Sequence, residues 1–284
     1  MKYILTIFKE HKYQLLLIYF YLFIAQSLIL LEPYVLGKMI DGLLNKQYMW
    51  MFTFLGIVLI ENILIFRRMV YDTKIYTKIY NNIVLKYLKR EKHSNHSSRI
   101  ARTELSNNII NFLESDVHFY IYAILTVMGS LAFIFMNSVI TGLIVIASIA
   151  PICTIVYFLY KKIAQSTKIT HDHYEQKIEI LSDNNDVKVE TFFKRRRKIL
   201  IYGSTLQGKN WTALNSVKSI FLVIALVVFT HNSKISQGET VSMYAYINQF
   251  LISLMSIPIG IETFTRMKDV INSCLLYTSD AADE

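Results

Sequence analysis

Hydrophobic residues occur along this sequence in long blocks that alternate with polar, mainly basic segments. Six of the blocks approach the roughly 20 residues that an α-helix needs to cross the hydrocarbon core of a membrane. With nine glycines and three prolines, the chain has few of the turn signals that a sheet would require. The pattern predicts an all-α membrane protein with six transmembrane helices. The predicted spans are Tyr13–Leu31, Met49–Phe66, Val117–Phe135, Val139–Tyr160, Trp211–Thr230 and Val241–Ile261.

Positive charge then gives these spans an orientation. Lys2, Lys9 and Lys12 precede the first span, and Arg266 and Lys268 follow the sixth. Ten Lys and Arg residues lie between spans 2 and 3 and eleven between spans 4 and 5, whereas the three other connections together carry three. Cytoplasmic loops are enriched in Lys and Arg, so both termini and the two long loops are predicted to be cytoplasmic.

The composition agrees with this topology and argues against other uses of the charge. A chain that is 53% hydrophobic with a net charge of +9 is unusual for a water-soluble domain. A nucleic-acid-binding protein would place its basic residues along a groove with aromatic side chains or carry a known binding motif, and the sequence has neither. The basic excess is therefore explained by topology, and no nucleic-acid partner is expected.

The two long loops are predicted to be helical hairpins in the cytoplasm. In the first, Ile75, Ile79, Ile83 and Tyr87 are spaced along one face, as an amphipathic helix requires. A polar stretch then turns the chain in each loop. The predicted outgoing helices are Tyr71–Leu88 and Lys161–Leu181, the turns are at residues 93–98 and 182–185, and the returning helices are Ile100–Ser115 and Val187–Asn210.

This arrangement of spans and loops resembles the transmembrane domain of exporter-type ABC transporters. Local motifs in the same order add to the resemblance over roughly residues 10–272. Leu31–Asp41, with its Pro, Gly and Ile-Asp pair, is similar to the family's first outer boundary, where span 1 ends. Phe112–Val117 is similar to the entry into span 3. Ile235–Val241, followed by Tyr246 and Pro258, resembles the last outer loop and span 6.

The resemblance implies a multi-pass protein of a bacterial cytoplasmic membrane that works as a homo- or heterodimer of transmembrane domains. It also implies a partner, a nucleotide-binding ATPase domain or subunit that holds ATP and Mg²⁺, on which the two hairpins dock short coupling helices. Ordinary solvated loops with basic flanks are the alternative explanation of the hairpin tips. By position, the coupling residues are Lys86, Tyr87, Leu88, Arg90, Asn184, Asn185, Asp186, Val187 and Lys188.

The ATPase itself is not expected within this sequence. Gly203–Asn210 matches the phosphate-binding pattern G-x-x-x-x-G-K, but Asn210 takes the place of the Mg-binding hydroxyl, and the entry to span 5 follows. Ser236–Glu239 faintly resembles an ABC signature loop, yet it is predicted to lie on the outer side of the membrane. We therefore expect no catalytic residue, cofactor or ATPase activity in this chain alone.

The last residues are predicted to be foreign to the domain. Residues 274–284 resemble the peptide obtained when a transposon-type sequencing adapter is translated. We therefore assign residues 1–272 to the membrane domain and exclude residues 273–284 from fold reasoning. An ATPase domain fused in the natural gene and a separate ATPase subunit are both compatible with this tail.

Polar residues within the spans are the candidates for a translocation pathway. Glu61 and Asn62 lie in span 2, where a carboxylate is costly and therefore a functional candidate; an interfacial ion pair with Arg67 or Arg68 is the structural alternative. In span 6, small and polar residues share one helix face, which fits either a pathway or close helix packing. Gln26 and Ser27 are expected to face the same cavity. The span 6 residues are Ser242, Tyr246, Gln249, Ser253, Ser256 and Gly260.

Histidines do not form an evident metal or catalytic group. His93 and His96 lie in a polar turn, and His171 and His173 are two residues apart on a helical extension, which points them in different directions. We expect these histidines to be exposed to solvent and to bind no metal.

Three functions are compatible with these features. The first is the membrane half of an ABC-type exporter that uses ATP hydrolysed on a partner or missing domain. The second is a non-transporting scaffold or regulatory subunit with the same fold. The third is an ion-coupled carrier that uses Glu61.

Overall fold

The computed structural model describes residues 11–90, 103, 106–108, 110–175, 177–182, 186–231 and 235–256. Nearly all of this described chain is helical and none of it forms a strand, which confirms the all-α prediction. The helices are α1 (Lys12–Leu44), α2 (Met49–Arg90), a π-helix (Phe112–Asp116), α3 (Val117–Asn137), α4 (Val139–Ala147), α5 (Ile149–Glu175), α6 (Lys177–Ser182), α7 (Asp186–Thr230) and α8 (residues 237–256).

Helix α1 is longer than the predicted first span. The span was predicted to close at Leu31, yet the helix continues through Pro33 to Leu44. It ends at Asn45, whose backbone N–H bonds to the carbonyls of Asp41 and Gly42, and Lys46 then takes a left-handed conformation with φ of 60°. The connection from α1 to α2 is therefore a tight turn. Its polar residues follow the Ile-Asp pair, which is still part of the helix.

Five helical stretches in the described chain are long and apolar enough to cross a membrane, and they contain the first five predicted spans. The sixth predicted span is helical in α8 up to residue 256, and residues 257–261 lie outside the described part. The adapter-like tail also lies outside it. The five stretches are Lys12–Leu44, Met49–Leu85, Ser106–Asn137, Val139–Thr170 and Asp186–Thr230.

Large apolar side chains on the outside of these helices fit a lipid environment. On α1, Leu16, Phe20 and Phe23 are 69%, 55% and 56% exposed, and they repeat at helical spacing along one face. Water would make such a continuous apolar stripe unfavourable, whereas hydrocarbon chains solvate it. The chain is therefore a multi-pass membrane protein.

The fourth predicted span is divided into two helices by a break at Ser148. Pro151 lies in the first turn of α5, where its ring removes one backbone N–H and crowds the preceding turn. Ser148 bonds through its hydroxyl to the Val145 carbonyl at 2.5 Å, and its own carbonyl accepts the Ile152 N–H. The backbone around Ser148 therefore keeps hydrogen bonds across the break between α4 and α5.

The chain forms two compact units, and each has its own packing. The first comprises residues 1–137 and 230–284, and the second comprises residues 138–229. In the first unit, the predicted apolar face of α2 is confirmed, because Ile75 and Ile79 are buried against Leu15 and Ile18 of α1 and against Phe112 of the π-helix. The second unit contains α4 to α7, with the long α7 continuing from the predicted cytoplasmic turn to the end of span 5.

Candidate functional site

Two motifs that lie about 200 residues apart in the sequence meet in the first unit. The Asp41 carboxylate at the end of α1 accepts a hydrogen bond from the Ser236 hydroxyl at 2.6 Å and from the Gly238 N–H at 2.8 Å. The Gly238 N–H is one of the free donors at the start of α8, where a negative charge is favoured. Asp41 therefore binds the beginning of α8. We call the contact formed by Gly37, Asp41, Ser236, Gly238 and Ser242 the outer joint, after the side of the membrane on which the sequence predicts it.

Ser236 and Glu239 complete the start of α8 as a capping box. The Ser236 hydroxyl accepts the Glu239 N–H at 3.1 Å, and the Ser236 N–H bonds to the Glu239 carboxylate at 3.0 Å. Ser236 thus donates its hydroxyl hydrogen to Asp41 while it accepts from Glu239. The segment that faintly resembled a nucleotide-signature loop is a helix cap.

Glycine is required in the outer joint because two backbones touch there. A Cβ on Gly37 would overlap the Ser242 hydroxyl and the Gly238 carbonyl, and a Cβ on Gly238 would overlap the Gly37 carbonyl and lie 2.6 Å from Asp41 Cγ. Backbone atoms cannot rotate out of the way as a side chain can. The two glycines therefore set how closely α1 and α8 approach.

The outer half of the polar stripe on α8 packs against α1. Ser242 donates to the Pro33 carbonyl at 2.7 Å, and Tyr246 donates to the Leu30 carbonyl at 2.9 Å. Pro33 has no backbone N–H and therefore interrupts the hydrogen bonds of α1. Both hydroxyls bond to carbonyls in the helical turn that contains Pro33. The Tyr246 ring also stacks on Phe133 of α3, with ring centres 4.7 Å apart. Helix packing thus accounts for Ser242 and Tyr246.

The second half of the stripe on α8 makes fewer contacts with other helices among the described residues. Ser253 is buried, and its carbonyl accepts the Ser256 hydroxyl at 2.7 Å. Gln249 is half-buried, and its carbonyl oxygen has no hydrogen-bond partner among the described residues. The sixth stripe residue, Gly260, lies outside the described part. Gln249 is therefore the stripe residue with unused polar capacity.

Gln26 lies at a contact between α1 and α3. Its side chain is 2% exposed, and its amide donates to the Thr126 hydroxyl at 2.8 Å. The neighbouring Ser27 bonds back to the Phe23 carbonyl of its own helix. The Gln26 carbonyl oxygen is buried without a partner in the described residues. Gln26 joins two helices and keeps one acceptor unsatisfied.

Glu61 and Asn62 differ in their surroundings. Asn62 is exposed and bonds to the Val58 carbonyl one turn earlier in α2. Glu61 is half-buried with Glu32 of α1 nearby, and its Oε2 has no hydrogen-bond partner among the described residues. Arg68, one of the two predicted partners of Glu61, instead has its Nε 3.6 Å from the Asp72 carboxylate. Glu61 therefore faces a second acidic residue across the α1–α2 contact.

A buried polar cluster that the sequence interpretation missed lies between α1, α2 and the start of α3. Asp72, Tyr76 and His118 are 5%, 0% and 6% exposed. His118 Nδ1 contacts the Glu114 carbonyl in the π-helix, and its ring lies 5.6 Å from Tyr19 and edge-on to Tyr76 at 5.9 Å. His118 is an ionisable residue inside a predicted span, and that signal alone could have identified it.

The cluster combines two features that are frequent at functional sites. Asp72 Oδ1 and His118 Nε2 have no hydrogen-bond partner in the described part of the chain, and such buried groups usually bind water or an ion. The adjoining π-helix has wider turns than an α-helix, with hydrogen bonds between residues five apart. Such turns occur frequently at functional sites. Asp72 and His118 are therefore added to the candidate residues.

The predicted coupling residues are only partly described. Lys86, Tyr87, Leu88 and Arg90 lie in the last turns of α2, where Leu88 is half-buried and the other three side chains lie outside the described part. Asn184 and Asn185 also lie outside it. Asp186, Val187 and Lys188 form the exposed first turn of α7, and the Val187 side chain is 72% exposed.

The segment that matches a phosphate-binding loop is part of a helix. Gly203–Asn210 lies within α7, and so does the preceding stretch that could have passed for a strand. A phosphate-binding loop holds its ligand with free backbone N–H groups, but in a continuous helix these groups bond to carbonyls four residues earlier. The G-x-x-x-x-G-K match is therefore not a nucleotide site in this fold.

The histidine prediction was wrong for His173. Its side chain is 7% exposed, and its ring contacts Phe192 of α7 with centres 4.1 Å apart. The spacing from His171 showed that the two side chains diverge, but it could not show which one faces α7. His93, His96 and the His171 side chain lie outside the described residues.

Comparison with known proteins assigns most of the chain to one family. A family model described as the ABC transporter transmembrane region matches residues 4–238. This range covers the five apolar helical stretches and both sides of the outer joint. A search among curated proteins finds no match.

Proposed function

The chain belongs to the family of ABC transporter transmembrane regions, and we propose that it is the membrane-spanning half of an exporter driven by ATP on a partner. As a family member it is a membrane subunit of an ABC-type transporter. The proposal adds six spans, cytoplasmic termini, a bacterial cytoplasmic membrane and a dimer of two such domains. ATP and Mg²⁺ would be held by a nucleotide-binding domain or subunit.

The observation that carries the proposal is the length of the helices. Helix α2 has 42 residues and α7 has 45, whereas about 20 suffice to cross the membrane. With about 20 residues in each span, more than twenty residues of each helix would lie outside the hydrocarbon region. An ion-coupled carrier or an isolated anchor has no need of such extensions, but a transporter whose motor lies in the cytoplasm does.

A continuous helix can carry movement from its tip to its span. At 1.5 Å per residue, α7 is about 65 Å long. A displacement of Asp186–Lys188 by a closing ATPase would therefore reach the apolar part of α7 without an intervening loop. Val187 offers a partner an exposed apolar side chain, and Asp186 and Lys188 flank it with opposite charges.

Co-purification from native membranes tests the proposal. We expect the chain to retain an ATP-hydrolysing partner and to lose its stimulation of that ATPase when Val187→Glu places a charge on the docking turn. Thr191→Glu, one turn further along the exposed surface of α7, is the control and should retain stimulation. A chain that never retains an ATPase and supports no substrate flux would instead be a scaffold or regulatory subunit, and substrate flux that is indifferent to ATP would favour the ion-coupled carrier.

One observation favours the ion-coupled carrier as a second candidate. Glu61 is half-buried in a predicted span with Glu32 of α1 nearby, and its Oε2 has no hydrogen-bond partner among the described residues, which makes it a candidate to bind a cation. If the chain works in this way, Glu61→Gln should abolish transport, and Glu32→Gln should change its dependence on the ion gradient. Transport that is unaffected by Glu61→Gln excludes this candidate.

A further inference from the structure

We propose that α5, α6 and α7 form a binding site for a small oxyanion of the phosphate class, centred on His173. The proposal concerns the second unit alone and holds whether or not the chain couples to an ATPase. It starts from the buried imidazole that the sequence interpretation expected to be exposed.

His173 has unused hydrogen-bonding capacity in a buried place. Neither Nδ1 nor Nε2 of its ring has a hydrogen-bond partner among the described residues, although the side chain is 7% exposed. A buried polar group without a hydrogen-bond partner carries a free-energy cost, because it has lost its bonds to water. The ring cannot turn to solvent, since Phe192 packs against it. A ligand that accepts a hydrogen bond would remove this cost.

The ring lines a cavity of about 40 Å³ between the helices. Lys177 and Arg196 line it as well, with the Thr170 hydroxyl on the same face of α5. The cationic residues come from different elements, Lys177 from α6 and Arg196 from α7. Both also make other interactions, so the site rests on the unsatisfied imidazole and on positive charge from two directions, not on a free cation.

The chemistry of the lining selects an anion with several oxygen atoms. Imidazole, ammonium and guanidinium groups all donate hydrogen bonds, and an Arg fork matches a tetrahedral oxyanion. The residues that line the cavity in the described chain include no carboxylate, which argues against a metal ion. A volume about three times the minimum for one water accommodates a small oxyanion.

The position of the cavity favours a soluble anion over a lipid headgroup. His173 follows Tyr160, the last residue of the predicted span, by 13 residues, which corresponds to about 20 Å along a helix. A phosphate at the membrane surface would not reach that far. Because the ligand would contact α5, α6 and α7 together, its binding should hold these three helices in one arrangement.

Hydrogen exchange on the full chain in nanodiscs of neutral lipid tests the site. Sodium phosphate is titrated against sodium chloride at constant ionic strength, and exchange is followed in peptides that cover residues 163–200. We expect phosphate to slow exchange about threefold or more in a saturable manner, with sulfate competing. Losing one charge-assisted hydrogen bond in Arg196→Gln should raise the half-saturating phosphate concentration about tenfold or more.

The variants are chosen so that misfolding cannot decide the result. His173→Gln should abolish phosphate protection, but it changes a buried residue, so Arg196→Gln and Lys177→Gln, at half-buried positions, are the decisive pair. Arg197→Gln removes the same charge from an exposed neighbour and should change the half-saturating concentration less than about twofold.

Other results would overturn the site or reassign its ligand. If Arg197→Gln raised the half-saturating phosphate concentration as much as Arg196→Gln, phosphate would be attracted to the whole basic run at residues 194–198. That result would overturn the site. No protection by phosphate would overturn it as well, since the cavity would then hold only water. Protection that appears only in nanodiscs with phosphatidylglycerol would support the same chemistry with a lipid phosphate as its source.

Discussion

The outer joint and the α5–α7 region differ in how closely their helices pack. In the joint, Gly37 and Gly238 bring two backbones into contact, and Asp41 fixes the start of α8. Between α5 and α7, a groove of about 440 Å³ is lined by small and polar residues that include Ser166 and Gly203. This groove is open to the surface, and Thr167, Ser204 and Gln207 on its walls are exposed. The joint is a fixed contact, whereas the α5–α7 region has room to rearrange.

We expect the largest effect when a glycine of the outer joint is replaced by alanine, and the same substitution in α7 serves as the comparison. Gly37→Ala in the joint should lower the free energy of unfolding by about 3 kcal/mol, the upper part of the usual range for overpacking, because its Cβ would meet the Gly238 backbone. In α7, Gly208→Ala has open space around its Cβ and should leave stability unchanged or raise it by up to about 1 kcal/mol. Thermal unfolding in detergent measures the stability of both variants. Equal losses of stability would contradict the difference in packing between the two regions.

Removing the Asp41 charge should have the next largest effect. Asp41→Asn keeps the size of the side chain but replaces one acceptor oxygen by a donor NH2 group, so one of the bonds from the Ser236 hydroxyl and the Gly238 N–H is lost and the other no longer has a charged acceptor. We expect a loss of about 2 kcal/mol. Asp186→Asn, at an exposed carboxylate that begins α7, is the matched control. If the control is as destabilised as Asp41→Asn, a general charge effect would explain the result instead.

Tyr246→Phe tests whether Tyr246, one turn beyond the outer joint on α8, acts in helix packing or in transport. The ring and its stacking on Phe133 are retained, while the hydrogen bond to the Leu30 carbonyl is lost. The expected cost is about 1 kcal/mol, with substrate flux per folded molecule unchanged. Tyr244→Phe, at a side chain that is 46% exposed, should cost nothing measurable. Altered flux at unchanged stability would assign Tyr246 to the pathway after all.

The smallest effect is expected at an exposed ion pair in the second unit. Lys194 lies 2.7 Å from Glu190 one turn earlier in α7, with both side chains mostly exposed. Solvent and salt screen such pairs, which contribute at most about 0.5 kcal/mol. Glu190→Gln should therefore leave the unfolding temperature within error of the parent chain. A clear loss at low salt that disappears at high salt would reveal a wider charge network.

The helices were predictable because their signals are local. Block length and apolar spacing identified the five long apolar helices and the continuation of α2 beyond the predicted span 2. The contact between Asp41 and Ser236 was not predictable, although both motifs had been noticed. A single sequence contains no information on which distant segments pair, and the capping chemistry becomes visible only when the two helix ends meet.

The remaining errors also have physical causes. The prediction of span 1 followed hydropathy and stopped at Leu31, and it did not include the helix beyond, because one Pro with its neighbouring carbonyls bonded to α8 is compatible with a continuous helix. His173 was misjudged because an exposed and a buried histidine can have the same local spacing. Asp72 and His118 were overlooked, although an ionisable side chain on an apolar helix face is a local signal that sequence inspection can detect.

The unbroken course of α7 restricts how this sequence can change through evolution. Each residue added to a helix turns everything beyond it by about 100° and advances it by about 1.5 Å. A single insertion between Asp186 and the apolar part of α7 would therefore rotate the exposed first turn to another side of the molecule, while the span stays in place. Loops absorb insertions readily, but this helix should accept substitutions far more easily than changes in length.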